Sequence, residues 1–210
     1  MTTDAVNVPA PSARLVVLAG PSGSGKSRLA HRLGLPVLRL DDFYRDGDDP
    51  GLPHAFGIVD WDDPASWDLD GAVACALHLV HQGCADVPSY DIRTSRRAGT
   101  HRLDLGTASL VVAEGIFAAE VVPSLRAAGV LADALCLTHH PVVTFARRLA
   151  RDLRESRKPP LTLLRRGWAL MRAEPRVVSR QVALGAVPCT PQQAERRIRA
   201  LTASAKTPSR

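Results

Sequence analysis

Eight consecutive residues, Gly20, Pro21, Ser22, Gly23, Ser24, Gly25, Lys26 and Ser27, have the spacing G-x-x-x-x-G-K-S. Glycines let such a loop curl until successive backbone N–H groups point inward at phosphate oxygens. A lysine at the sixth step past the first glycine reaches the β- and γ-phosphates of a nucleoside triphosphate, and the following serine hydroxyl ligates Mg²⁺. An apolar run, Leu15–Ala19, leads into the loop and a helix-compatible run, Arg28–Leu33, leaves it. That is the strand–loop–helix context the motif needs, and the helix N-terminus adds a partial positive charge. The motif points to a nucleoside triphosphate with Mg²⁺ and leaves open what receives the phosphate.

Transfer to a hydroxyl also needs an oriented acceptor, a held metal ion and neutralisation of developing charge. Asp41 follows the short strand-like run Val37–Leu40, and Glu114 follows the apolar run Leu110–Ala113. Asp41 is a candidate base or acceptor-orienting carboxylate, and Glu114 a candidate for the metal shell or an acceptor contact. Asp42 reads as an exposed neighbour or a helix cap. Arg147, Arg148, Arg151 and Arg154 lie at helical spacing. Like charges one turn apart repel unless an anion lies opposite. They read either as a solvated basic face or as a closing lid that clamps phosphate.

The elements that must position these residues alternate in type. Strands are expected at Leu15–Ala19, Val37–Leu40, Leu110–Ala113 and Ala134–Leu137. Helices are expected after the glycine-rich loop, from Asp63-Pro64 to about His81, over Glu120–Ala128, from about Val142 to Ser156, from Leu161 into the 180s, and over Gln192–Leu201. Residues 45–63 read as a loop, and Val87–Arg97 as an extended hairpin or loop. Alternation of this kind implies an α/β fold with a parallel sheet flanked by helices, and ligands then sit at the carboxyl ends of the strands. Gly20, Asp41 and Glu114 all fall there. One domain over 14–203 is expected, with a lid at about 147–160, a disordered lead-in over 1–13 and a flexible tail over 204–210.

A chain of 210 residues with 45% hydrophobic content is long enough to bury a sizeable core. No apolar stretch reaches the ~18 residues of a membrane span. Cys75, Cys84, Cys136 and Cys189 show no metal spacing and read as reduced thiols of a cytoplasmic protein. The net charge of +6 hides an asymmetry, because residues 147–210 hold 16 Lys/Arg against 4 Asp/Glu. Only Trp168 is aromatic there, so the basic third reads as phosphate contacts and solvated faces rather than as a nucleic-acid surface. The expected partner is a small-molecule substrate; a homo-oligomer is left open.

The ordered motifs resemble the uridine kinase (uridine–cytidine kinase) family of P-loop kinases. Five segments match in order: Gly20–Ser27; Leu40-Asp41-Asp42-Phe43-Tyr44; Asp60-Trp61-Asp62-Asp63-Pro64 with Trp67-Asp68; Pro88-Ser89-Tyr90-Asp91 ending at Arg97; and Ala113-Glu114-Gly115-Ile116. Arg147-Arg148 with Arg151-Asp152 come sixth, so the resemblance covers about residues 14–158. It implies a P-loop NTPase fold with an arginine-rich helical lid. It also implies that Asp41 accepts or orients a 5′-hydroxyl, and that Ser27 and Glu114 hold Mg²⁺. Asp62 would bond the ribose hydroxyls, Tyr90 would line the base pocket, Arg97 would contact the acceptor side, and Tyr44 would either help shape the acceptor pocket or serve as a packed aromatic. Arg148 and Arg151 would touch phosphate from the lid.

The chain departs from the family at two base-recognition positions. The family's Phe and His are here Ile92 and Ser95, which removes a stacking ring and an imidazole. Ser156 stands where a lid arginine is expected, and the segment beyond Pro160 does not resemble the family's ending. The expected activity is ATP-dependent phosphorylation of a pyrimidine nucleoside. The alternatives are a related kinase for a sugar, pantothenate or another nucleoside, and a nucleotide-binding regulatory or nucleic-acid-associated module.

Overall fold

Leu15 to Ala19 are apolar at every position, and a strand of that kind can be buried on both faces. In the computed structural model, which describes residues 10–55, 57–139, 144 and 174–205, this run is β1 (Arg14–Ala19), in the middle of a five-stranded sheet. The other strands are β2 (Val37–Arg39), β7 (Leu110–Glu114), β8 (Leu131–Leu137) and β9 (Val187–Cys189). Their spatial order is β2-β7-β1-β8-β9, with every pair parallel. Alternate β1 residues feed two separate cores. Leu15, Val17 and Ala19 pack with Leu38, Leu79, Val111 and Leu125. Val16 and Leu18 pack with Leu29, Val112, Leu135 and Ile198.

The helix α1 (Lys26–Leu33) buries Leu29 and Ala30 in the second core, and the C-terminal helix Pro191–Ala205 adds Ala194 and Ile198 beside them. On the opposite face lie α2 (Leu69–Gln82) and α3 (Val122–Ala127). A two-stranded antiparallel hairpin, β5 (Cys84–Asp91) with β6 (Arg96–Asp104), follows α2. Small β3 (His54–Ala55) and β4 (Ile58–Val59) pair within the 45–63 segment.

Several expectations shift. The helix expected from Asp63-Pro64 is broken: Pro64–Ser66 is a single 3-10 turn, and α2 begins only at Leu69. Trp67 is the reason. Its indole donates to the Leu40 carbonyl at 2.7 Å, and its backbone is extended and bridged to Tyr44. Asp68 then caps α2 by accepting from the Gly71 N–H at 2.9 Å. The expected helix over Glu120–Ala128 is a 3-10 turn over Ala118–Val121 followed by α3. The C-terminal helix runs on through Thr202 to Ala205, past the expected end at Leu201. At the other end, Ser12 bonds the Val80 carbonyl through both its N–H and its hydroxyl, and Ala13 is buried. Residues 174–183 are helical. Of the expected helix from Val142 to Ser156 only Thr144 is described, and it is helical; the arginines 147, 148, 151 and 154 lie outside the described residues.

Candidate functional site

Glu114 is the last residue of β7 and pairs in register with Leu18 of β1 on one side and Arg39 of β2 on the other. Gly20 follows β1, and Asp41 follows β2 within the 3-10 turn Leu40–Phe43. The three expected groups therefore leave the carboxyl edge of three adjacent parallel strands, which is where an α/β sheet binds ligands.

Gly20, Gly23 and Gly25 have φ of 138°, 87° and 92°, a region that side-chain-bearing residues rarely enter. At Gly20 a Cβ would also lie 2.6 Å from the Leu137 carbonyl oxygen, so the loop packs directly on β8. At Gly25 a Cβ would meet nothing within 4 Å, so the loop faces open space there at the start of α1. Lys26 is buried, and its Nζ donates to the carbonyls of Gly20 at 2.8 Å and Pro21 at 3.2 Å. The lysine thus holds both ends of the loop. Ser24 is fully buried, with no hydrogen-bond partner for its hydroxyl.

Ser27 is exposed at the rim and donates from Oγ to Glu114 Oε1 at 2.9 Å. Glu114 itself is buried, and its Oε2 has no hydrogen-bond partner. Burial pushes its carboxyl above the ordinary glutamate value, against the pull of the nearby Lys26 ammonium. A buried carboxylate oxygen left unpaired beside a hydroxyl is a hard-oxygen donor set, and it suits Mg²⁺ bound together with substrate phosphates. Among the described residues there is no cluster of three or more His, Cys, Asp or Glu side chains able to hold a metal without such help.

Asp41 is half-buried, and its Oδ1 accepts from the Ile116 N–H at 2.8 Å. Asp42, expected exposed or capping, is instead buried at 5% exposure. Its carboxylate lies 3.4 Å from Arg39 and accepts weakly from the Tyr90 N–H. Burial raises its pKa, and Arg39 opposes the shift. Asp42 is therefore a structural tie from β2 to the hairpin and not a surface neighbour.

The expected acceptor-side residues fall into two groups. Tyr44, Trp61 and Tyr90 form one aromatic cluster, with ring centroids 5.6 to 6.4 Å apart, and Phe117 joins it at Tyr44. Tyr44 donates to the Trp61 carbonyl and Tyr90 to the Arg45 carbonyl, each at 3.2 Å. Asp62 is exposed on the turn next to Trp61. Arg97 points elsewhere: its guanidinium pairs with Asp68 at 2.8 Å, on a groove of about 440 Å³ lined also by Phe43, Cys75, Pro88 and Thr100. Ile92 is 61% exposed at the hairpin tip. Ser95 has φ of 53°, and its carbonyl accepts from the Gly47 N–H at 2.7 Å.

Two side chains that sequence reasoning missed stand behind the site. Asp68 was legible as part of a motif but not as the partner of Arg97. Gln181 belongs to no motif, yet it is buried at 4% exposure and bonds both Ile116 and Cys136.

No known family model matches the chain. It is 29% identical to the uridine kinase of Saccharomyces cerevisiae over 147 residues, which is 66% of this chain and 29% of that protein. It is 32% identical to the inorganic pyrophosphatase TTM2 of Arabidopsis thaliana over 111 residues, which is 50% of this chain and 15% of that protein. The chain thus spans less than a third of the length of these curated relatives. Among solved structures, a candidate fructose transport system kinase from Silicibacter superposes with a TM-score of 0.59 at 20% identity. That match covers 83% of this chain and 88% of the other. The fold is that of the P-loop kinases, and in sequence the chain resembles the uridine kinases as a divergent relative. No helix among the described residues is long and apolar enough to cross a membrane.

Proposed function

We propose that this protein is a kinase that transfers the γ-phosphoryl group of ATP to a hydroxyl of a small molecule, and that the acceptor is the 5′-hydroxyl of a pyrimidine nucleoside. One observation supports this most strongly. The exposed Ser27 hydroxyl bonds a buried, half-satisfied Glu114 two residues before Ile116, whose N–H holds Asp41.

The loop N–H groups from Gly20 to Ser27 cradle the triphosphate, and Lys26 exchanges its carbonyl partners for the β- and γ-phosphate oxygens. Ser27 and Glu114 are the residues that would hold Mg²⁺, which when bound neutralises charge on the phosphate oxygens. Asp41 keeps Oδ1 on the Ile116 N–H and uses Oδ2 to orient the acceptor hydroxyl and take its proton. As the acceptor oxygen bonds to the γ-phosphorus, the bond from that phosphorus to the bridging oxygen breaks and ADP leaves. Asp62 accepts from the ribose hydroxyls, and the Tyr44–Trp61–Tyr90 cluster offers ring faces to a base. The acceptor-side contact that the family resemblance implies for Arg97 would require its guanidinium to leave Asp68. Arg148 and Arg151 keep the phosphate-clamping role that the family resemblance implies.

A related kinase for another small alcohol is the second reading, and Ile92 and Ser95 favour it. Neither supplies the stacking ring or imidazole that a pyrimidine pocket would use, and one is largely exposed. The test is acceptor-dependent ADP release with uridine, cytidine, a sugar panel and pantothenate, against a blank without acceptor. The proposal expects a phosphomonoester product from uridine or cytidine. Turnover of a sugar alone would transfer the reading to the second acceptor class. ADP release that no acceptor stimulates would overturn kinase activity.

A further inference from the structure

The helix over 174–183 lies outside every motif named above, yet one of its side chains reaches the peptide that holds Asp41. Gln181 Nε2 donates to the Ile116 carbonyl at 3.0 Å, and Gln181 Oε1 accepts from Cys136 Sγ at 3.1 Å. The Ile116 N–H in turn donates to Asp41 Oδ1 at 2.8 Å. We infer that Gln181 is a positioning residue for phosphoryl transfer: it fixes the Ile116 backbone, and through it the carboxylate of Asp41. The inference rests on the role given to Asp41 in the proposed function.

The amide has one workable orientation. Turned over, Oε1 would face the Ile116 carbonyl oxygen, acceptor against acceptor, and the amide NH₂ would face the thiol hydrogen. The thiol stays a donor, because burial pushes Cys136 up to about 11. Cys136 is on β8, one residue before Leu137, whose carbonyl oxygen backs Gly20 of the phosphate loop. Gln181 therefore ties the acceptor-side peptide to the strand that backs the donor-side loop. The helix bearing it is anchored nearby, where the Ala186 N–H donates to the Gln181 carbonyl at 3.1 Å and Arg180 pairs with Glu120 at 2.9 Å.

A buried amide of this kind is costly unless both ends are paired, and when paired it rigidifies its neighbours. Ile116 is the link between the two contacts. Its N–H belongs to one peptide plane and its carbonyl to the next, so fixing the carbonyl restricts the rotation that would carry the N–H away from Asp41. Small misplacement of a reacting group is enough to cost catalysis heavily.

The test uses the full chain with two variants, Gln181→Met, which keeps the volume, and Gln181→Asn, which keeps an amide one methylene short. The first readout is the Ile116 amide in ¹H–¹⁵N spectra and hydrogen exchange, which needs no turnover. Both variants should shift this proton upfield and speed its exchange by roughly tenfold, with the β1 and β7 amides unchanged. The second readout is kinetic. The rate constant kcat should fall about tenfold with the Kd for an ATP analogue kept, and adding Asp41→Asn should leave no further loss from Gln181→Met. An unmoved Ile116 amide, or losses that simply multiply in the double variant, overturns the inference. If Asp41→Asn alone leaves kcat intact, the assignment of Asp41 falls instead. The Ile116 amide then still decides whether Gln181 holds that contact.

Discussion

Gly115 and Asp41 approach so closely that a Cβ on the glycine would lie 2.7 Å from Asp41 Oδ1 and 3.1 Å from Leu40 Cβ. The glycine is needed here for space, because its φ is not in the left-handed region. It lets the end of β7 and the turn after β2 share one small volume, so that Glu114 and Asp41 lie close together. Gly115→Ala should therefore push Asp41 off the Ile116 N–H. We expect kcat to fall roughly 10- to 100-fold, with a stability loss of about 1–3 kcal/mol from overpacking. Steady-state kinetics and thermal unfolding check both; an alanine variant with full activity would mean that the carboxylate has room to move.

Asp41→Asn keeps the shape of the side chain and its acceptor for Ile116 but removes the base. We expect kcat to drop by roughly 10²- to 10⁴-fold, while an ATP analogue binds as before. Calorimetric titration beside kinetics separates the two effects.

Lys26 braces the phosphate loop through Gly20 and Pro21, so its loss acts on the loop as well as on the ligand. Lys26→Ala should weaken triphosphate binding by about tenfold or more and slow transfer together. Lys26→Arg should not rescue it, because a planar fork cannot follow the two carbonyls into the same buried space. Equal ATP affinity in either variant would contradict the loop's assignment.

Much of this site was legible from residue types. The glycine-rich loop and Glu114 follow apolar runs whose burial on both faces makes them the interior strands β1 and β7, Asp41 follows the short edge strand β2, and the structure brings the three ends together. What the sequence hid has physical causes. Asp42 looks like a surface residue because the Tyr90 N–H it faces comes from the hairpin, far along the chain. The strand β6 carries no alternation, since Arg96 to Arg102 are exposed throughout. The strand β9 is three residues long and contains a proline. Trp67 breaks a run that is otherwise helical by burying its indole on Leu40. Gln181 has only its amide to announce it, and nothing local distinguishes that amide from a solvated one.

Glu114 makes stability depend on pH in a definite direction. Burial holds its native carboxyl above the ordinary value of 4.5. Above that ordinary value the native state keeps a proton that the unfolded chain has lost, so stability falls as pH rises through the native value. Glu114→Gln removes this titration. Its Tm relative to the parent protein should be lowest below about pH 4 and should increase towards pH 7, while phosphoryl transfer falls with the loss of the carboxylate charge that would hold Mg²⁺. A Tm difference that stays flat with pH would show that Glu114 does not titrate differently in the two states.

In the proposed function the hairpin tip helps to select the acceptor. Ile92 is 61% exposed, so Ile92→Phe changes little in the core. Ser95 has φ of 53°, a conformation that histidine enters more readily than most residues. The double variant Ile92→Phe/Ser95→His restores the stacking ring and the imidazole that the uridine kinases place there, without disturbing Asp41 or the phosphate loop. If the pocket takes a pyrimidine nucleoside, the variant should lower the uridine KM by about tenfold or more at similar kcat, because a polar pocket discriminates through the groups it pairs. If the natural acceptor is a sugar or another alcohol, uridine turnover should stay at background while the native acceptor loses ground. Parallel KM measurements on uridine and on the best alcohol from the acceptor panel distinguish the two. A fall in uridine KM with no change in the other acceptor would place the tip over the base and away from the transferred phosphate.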